Sequence, residues 1–204
     1  MLATIQKQSL VLTLFAALAT GLTACVYYLT ETNINAQYAK QQERLFNQIL
    51  PSDLYDNELL SECYIVTDVV NKSQHIYVAR KQGQITAVAI ESTAPDGYSG
   101  AIKLVVGANL DGQVYGVRVV SHAETPGLGD KIDVRISDWI THFSGLSVTD
   151  ANEKQWAVKK DGGQFDQFTG ATITPRAVVN TVKKTVLSLK DLDIASLPRC
   201  GELS

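Results

Sequence analysis

The chain has 204 residues and a formal net charge of −3. That length allows one membrane anchor and one domain with a sizeable core, and the charge points to no nucleic-acid partner. The three cysteines (Cys25, Cys63, Cys200) form no C-x-x-C pair and the three histidines (His75, His122, His142) share no ligand spacing, which argues against a metal or iron–sulfur centre.

Residues 8–30 contain no charged side chain. About 20 such residues span a bilayer as a helix. Residues 9–30 are therefore read as a transmembrane helix, with Tyr27 and Tyr28 at one interface and Lys7 at the other. The positive-inside rule places residues 1–8 in the cytoplasm and residues from 31 onward outside it. Two other readings stay open. One is a cleaved signal peptide, although no clean Ala-x-Ala site is present. The other is a lipidated Cys25, because Leu22-Thr23-Ala24-Cys25 is similar to a lipobox, although the apolar run continues to Leu29.

Residues 31–60 read as a connecting segment. Ile34, Tyr38, Leu45, Phe46 and Ile49 share a helical stripe that ends before Pro51. From residue 61 the pattern turns to β. The runs 63–66, 76–79, 85–90, 102–107 and 114–119 are β-branched and aromatic. Lys81-Gln82-Gly83 and Asp111-Gly112 supply turns, and Ala94–Gly100 is a Pro- and Gly-containing loop. The expected fold is α+β: a single transmembrane helix, then an antiparallel β-meander with packed helices over residues 61–204.

His122-Ala-Glu-Thr-Pro-Gly-Leu-Gly129 is a rigid loop without a phosphate-loop signature. Ile132, Ile136, Trp139, Ile140 and Phe143 then fall at helical spacing and predict a short core helix. Trp156–Lys160 reads as a strand whose Lys159 or Lys160 is either a solvated edge charge or an offset for an anion. Asp166-Gln-Phe-Thr-Gly-Ala-Thr172 is a turn feeding a helix. Thr174 is read as its N-cap and Pro175 as its first residue, with Val178, Val179, Val182, Val186 and Leu189 facing the core. Thr172 thus stands just upstream of a helix N-terminus, where an anion such as phosphate is favoured. From these residues alone, a well-capped helix with no further role is the favoured reading.

Asp166-x-x-Thr169-Gly170-Ala171-Thr172 resembles the flavinylation motif of the FMN-binding domain family. That family includes the G subunit of Rnf-type ion-translocating complexes and the C subunit of the Na⁺-translocating NADH:quinone reductase. The resemblance implies that Thr172 carries FMN through a phosphoester. It also implies that Asp166, Thr169, Gly170 and Ala171 are recognised by a flavin transferase. Glu124-Thr-Pro-Gly-Leu-Gly129 resembles the loop that packs on the flavin ring, which makes Glu124, Thr125, Leu128 and Gly129 expected cofactor contacts. Tyr98 stands where the family places an aromatic beside the ring, although some members have Trp there.

The resemblance further implies an electron relay with no catalytic side chain of its own, in the bacterial inner membrane with its main domain periplasmic. Its partners would be the lipid bilayer and other membrane and cytoplasmic subunits of the complex, one carrying a second covalent FMN and one carrying iron–sulfur clusters. Electron flow to or from ferredoxin or NADH would be coupled to ion movement, and in some γ-proteobacteria the complex would keep a redox-sensing regulator reduced. The C subunit of the quinone reductase, for which the chain is short, and a membrane-anchored scaffold without flavin are the alternatives. An oxidising periplasm permits Cys63 and Cys200 to form a disulfide but does not require it.

Overall fold

Alternating side chains along each strand point to opposite faces, and here the two faces differ in bulk. In this computed structural model, which describes residues 2–67, 73–149 and 151–201, five strands run antiparallel in the order β1-β2-β3-β4-β5. They are β1 (Cys63–Thr67), β2 (Ser73–Lys81), β3 (Gln84–Ala94), β4 (Ile102–Ala108) and β5 (Val114–Ser121). This is the expected meander, with each strand within a few residues of its expected position. On one face, Ile76, Ile90, Val106 and Val117 are register partners across four strands. They form the main core with α2 (Ile173–Leu189). On the other face, the matching row is Tyr77, Ala89, Gly107 and Gly116.

The second row is small because a chain segment lies almost on the backbone. α1 runs from Leu2 to Ile49. Residues Glu43–Ser204 form one compact unit and Met1–Gln42 another. Within the larger unit, Phe46, Ile49 and Leu50 are buried with Tyr77, Ala79, Ala87, Ala89 and Val105. A Cβ on Gly107 would lie 2.5 Å from the Ile49 carbonyl oxygen, and one on Gly116 would lie 2.8 Å from Ile49 Cα. Of the stripe read from the sequence, Phe46 and Ile49 are buried, Leu45 is half-buried and Ile34 is exposed. The side chain of Tyr38 lies outside the described residues.

In the smaller unit, Ile5–Glu31 is a candidate membrane span with mean hydropathy 2.0 and none of that window buried. Its threonines satisfy their hydroxyls inside the helix, as a bilayer core requires. Thr13, Thr20, Thr23 and Thr30 each donate to the carbonyl four residues back. Cys25 sits in this helix, exposed.

Three local expectations are corrected. The single helix over 132–143 is instead two 3-10 turns, Gly129–Ile132 and Trp139–Phe143. Ile132, Trp139, Ile140 and Phe143 are buried, but Ile136 is 57% exposed, so a helical stripe is broken between the turns. Trp156–Lys160 is not a strand. Trp156 and Val158 are buried in the alternating manner of a strand, yet only an isolated bridge joins Val158 to Phe165. The chain reverses at Gly162 and Gly163, where a Cβ on Gly163 would collide with the Ala157 carbonyl. Thr174 is not the N-cap. α2 starts at Ile173, and Thr174 is fully buried. The stretch from 129 to 171 is held by side chains: Phe143 stacks on Phe165 at 4.5 Å, Trp156 lies 5.3 Å from Phe165, and Trp139 meets Phe168 edge-on at 5.2 Å.

Cys63 and Cys200 form a disulfide across 137 residues of sequence. Ile65 donates to the Pro198 carbonyl at 2.8 Å and Cys200 to that of Cys63 at 3.0 Å, so the C-terminal segment also covers the edge of β1.

Gly107→Ala or Gly116→Ala should cost about 1–3 kcal/mol by overpacking the sheet against Ile49, read by denaturant unfolding. Cys200→Ser should cost about 2–5 kcal/mol in non-reducing buffer and nothing further in reductant.

Candidate functional site

Three segments distant in sequence meet at one buried carboxylate. Glu124 is 4% exposed. Its Oε1 accepts the Ser99 N–H at 3.0 Å, and its Oε2 accepts the Thr174 hydroxyl at 2.5 Å. The loop after β3, the loop after β5 and the first turn of α2 are thereby tied together. The surrounding glycines leave no room for anything else. A Cβ on Gly129 would lie 2.7 Å from Oε2, and one on Gly97 would lie 2.9 Å from Oε1.

Glu124 is itself placed by its neighbours. Its N–H donates to His122 Nδ1 at 3.1 Å, which puts the ring proton on Nε2. His122 Nε2 stands 3.9 Å from Asp133 Oδ2. Asp133 is buried, and Arg135 forks onto both of its oxygens. Those hydrogen bonds hold the Asp133 carboxyl below its ordinary value, against the opposing effect of burial. The Thr125 carbonyl accepts from the Leu128 and Gly129 N–H groups at 3.1 Å, closing the loop on itself.

The Asp166–Thr172 stretch is pinned by aromatics and otherwise faces out. Phe165 and Phe168 are buried, Asp166, Gln167, Thr169 and Gly170 are exposed, and Ala171 and Thr172 are half-buried. The Asp166 carbonyl accepts Trp139 Nε1 at 2.8 Å, while its carboxylate pairs with Lys159 at 2.6 Å. Ala171 donates to the Phe168 carbonyl at 3.1 Å, closing a turn with Gly170 at φ +80°. Only glycine enters that region readily, so the Gly of the motif is a backbone requirement. Arg176, one helical turn beyond Thr172, forks onto Asp161 at 2.6 and 2.9 Å.

The two stretches converge. A Cβ on Gly170 would lie 3.8 Å from Leu128 Cδ2. Tyr98, Leu128 and Ile173 are exposed at 68%, 42% and 45%. Each is a direct chain neighbour of a residue at the junction: Tyr98 of Gly97 and Ser99, Leu128 of Gly129, and Ile173 of Thr172 and Thr174. Of the backbone groups opening α2, the Ile173 and Thr174 N–H groups lack helical acceptors, Pro175 has no N–H and Arg176 donates to the Thr172 carbonyl at 3.3 Å, an opening that suits a phosphoester on Thr172. Both oxygens of Glu124, an expected cofactor contact, accept hydrogen bonds from its own chain. The sequence reading missed Thr174 as its partner, along with Ser99, His122 and the Asp133–Arg135 pair. The signal available was a carboxylate between His122 and a glycine-rich turn, which is weak.

Residues 97–187 match the FMN-binding domain family, and residues 1–49 match the RnfG N-terminal region. The G subunit of the ion-translocating oxidoreductase complex of Yersinia pestis is 59% identical over 99% of this chain and 99% of its own. The protein of the same name from Escherichia coli K12 is 54% identical over 99% of this chain and 100% of its own. The crystal structure of Shewanella oneidensis NqrC aligns with a TM-score of 0.47 at 18% identity, over 71% of this chain and 73% of that one.

A carboxyl with a depressed folded pKa stabilises the fold above its unfolded value, and that stabilisation is lost as pH falls through the folded value. For Asp133 this places the loss below its ordinary 3.8. Arg135→Gln should therefore move acid unfolding to higher pH, followed by tryptophan fluorescence. An unmoved acid midpoint would mean that the pair does not hold the loop.

Proposed function

We propose, from the premise that this chain belongs to the G-subunit family of ion-translocating oxidoreductase complexes, that it relays electrons through an FMN joined by a phosphoester to Thr172. The observation that carries the reading is the placing of Thr172: half-buried, at the start of α2, next to exposed Ile173 and following Gly170, which Leu128 approaches. FMN supplies reversible one- and two-electron transfer when bound. The chain's own residues do the rest. Thr172 is the tether. Gly170 and Ala171 leave space around it, and Leu128 with Tyr98 offers apolar surface to a ring. Glu124, Thr174 and Ser99 fix the two loops relative to the tether, with Thr125 and Gly129 shaping the loop itself. Asp166 and Thr169, exposed on an aromatic-anchored stretch, suit recognition by a flavin transferase during maturation.

A covalent link has a physical purpose outside the cytoplasm, where a dissociating cofactor would be lost. The Cys63–Cys200 disulfide supports an oxidising compartment for the larger unit. The uncharged span before Glu31 supports a single-pass anchor in the bacterial inner membrane, with the N-terminus cytoplasmic and the flavin domain periplasmic. The partners on this reading are the other subunits of the complex, within which electron transfer is coupled to ion translocation.

The test is expression of the full chain with a flavin transferase, purification in detergent, and ultraviolet-excited fluorescence on a denaturing gel. The wild type should fluoresce and Thr172→Val should be dark at equal expression. A dark wild type would favour a scaffold domain without flavin. A fluorescent Thr172→Val would move the attachment elsewhere.

A further inference from the structure

A glutamine in place of Glu124 would make the same two hydrogen bonds. Its oxygen would accept from Ser99, and its amide would donate to the Thr174 oxygen. The packing therefore needs the shape of this side chain and not its charge. Burying a carboxylate costs more than burying an amide. The observed pattern nevertheless suits an ionised group: one partner is a backbone N–H, and the 2.5 Å contact from Thr174 has the length of a hydroxyl donating to a carboxylate. Among the described residues no lysine, arginine or histidine side chain forms an ion pair with Glu124. It is a negative charge held by neutral donors.

Its place is specific. The two oxygens lie directly beneath the backbone at Gly97 and Gly129. The adjoining residues Tyr98 and Leu128 are exposed, and Leu128 reaches Gly170 in the turn before Thr172. With Glu124 only 4% exposed, the field of its carboxylate is weakly screened.

We propose that Glu124 is a positioning residue that also sets the redox potential of the centre, its buried negative charge lowering the potential of a flavin carried on Thr172. The inference rests on Thr172 being the FMN carrier. Adding an electron to a flavin beside a fixed, uncompensated negative charge is harder than adding it without one. The centre is thereby biased to give electrons up to its neighbours in the complex. Ser99 and Thr174 keep the charge buried and in place.

The experiment is a redox titration of the full-length, flavin-loaded chain in detergent, at about pH 9, well above the usual carboxylate range. Intact mass is read first on every sample. A wild type lacking FMN, or Thr172→Val retaining it, would remove the underlying reading and this inference with it. With flavin present, Glu124→Gln should shift the midpoint potential to more positive values. Thr174→Val keeps the charge but removes a donor that moderates it, and should shift the potential the other way. Thr174→Ser, which restores the donor, should return it to the wild-type value. Loaded Glu124→Gln with an unmoved or more negative potential would overturn the proposal. If Glu124→Gln does not fold, Thr174→Val decides alone, and an unmoved or more positive potential overturns it.

Discussion

The hydrogen bonds accepted by Glu124 are the constraint on which the arrangement of the site depends. One carboxylate joins the loop after β3, the loop after β5 and the opening turn of α2. Strand pairing at Ala94–Ile102 and Lys103–Ser121 brings the first two loops to one end of the sheet, and Glu124 joins both to α2, 50 residues away in sequence. A buried acceptor without its donors is costly, so each donor helps to hold the three segments together. Gly97 and Gly129 enforce the same geometry from the outside by excluding a Cβ. The position of Thr172 relative to Tyr98 and Leu128 is a consequence, since Thr174 is two residues along the same turn.

The sheet beneath solves a second problem. It is covered on both faces, by α2 on one and by residues 46–60 on the other. Bulky β-branched residues meet α2, whose own buried valines fill the space between. The opposite face is lined by alanine and glycine, so the Ile49 backbone comes into contact with the sheet itself. The same alternation that makes the strands regular thus decides which covering element packs by side chains and which by backbone.

Much of this was legible in the sequence. The five strands declare themselves through β-branched runs and turn residues, and α2 through the spacing of Val178, Val182, Val186 and Leu189. Regular elements repeat, and a repeat can be read. Residues 132–143 and 156–160 were misread because their order comes from contacts between Trp139, Phe143, Trp156, Phe165 and Phe168, which no local period encodes. Thr174-Pro175 looks like a cap and first residue. The structure instead buries the Thr174 hydroxyl against Glu124, 50 residues away in sequence, a tertiary contact overriding a local preference. The Asp166–Thr172 motif marked the site by resemblance, and the spatial closeness of Gly170 and Leu128 supplies the physical reason why the two motifs belong together.

On the proposed reading, one threonine of three in a short segment carries the cofactor. Thr169 is at an exposed turn, Thr174 is buried and bonded, and Thr172 is between them and half-buried. The most direct measurement is fragmentation of the tryptic peptide Asp161–Arg176 from flavin-loaded protein, which contains all three. The mass of one FMN less one water should begin with the fragment that includes Thr172. The same mass on Thr169 or Thr174, or on no residue of this peptide, would contradict it.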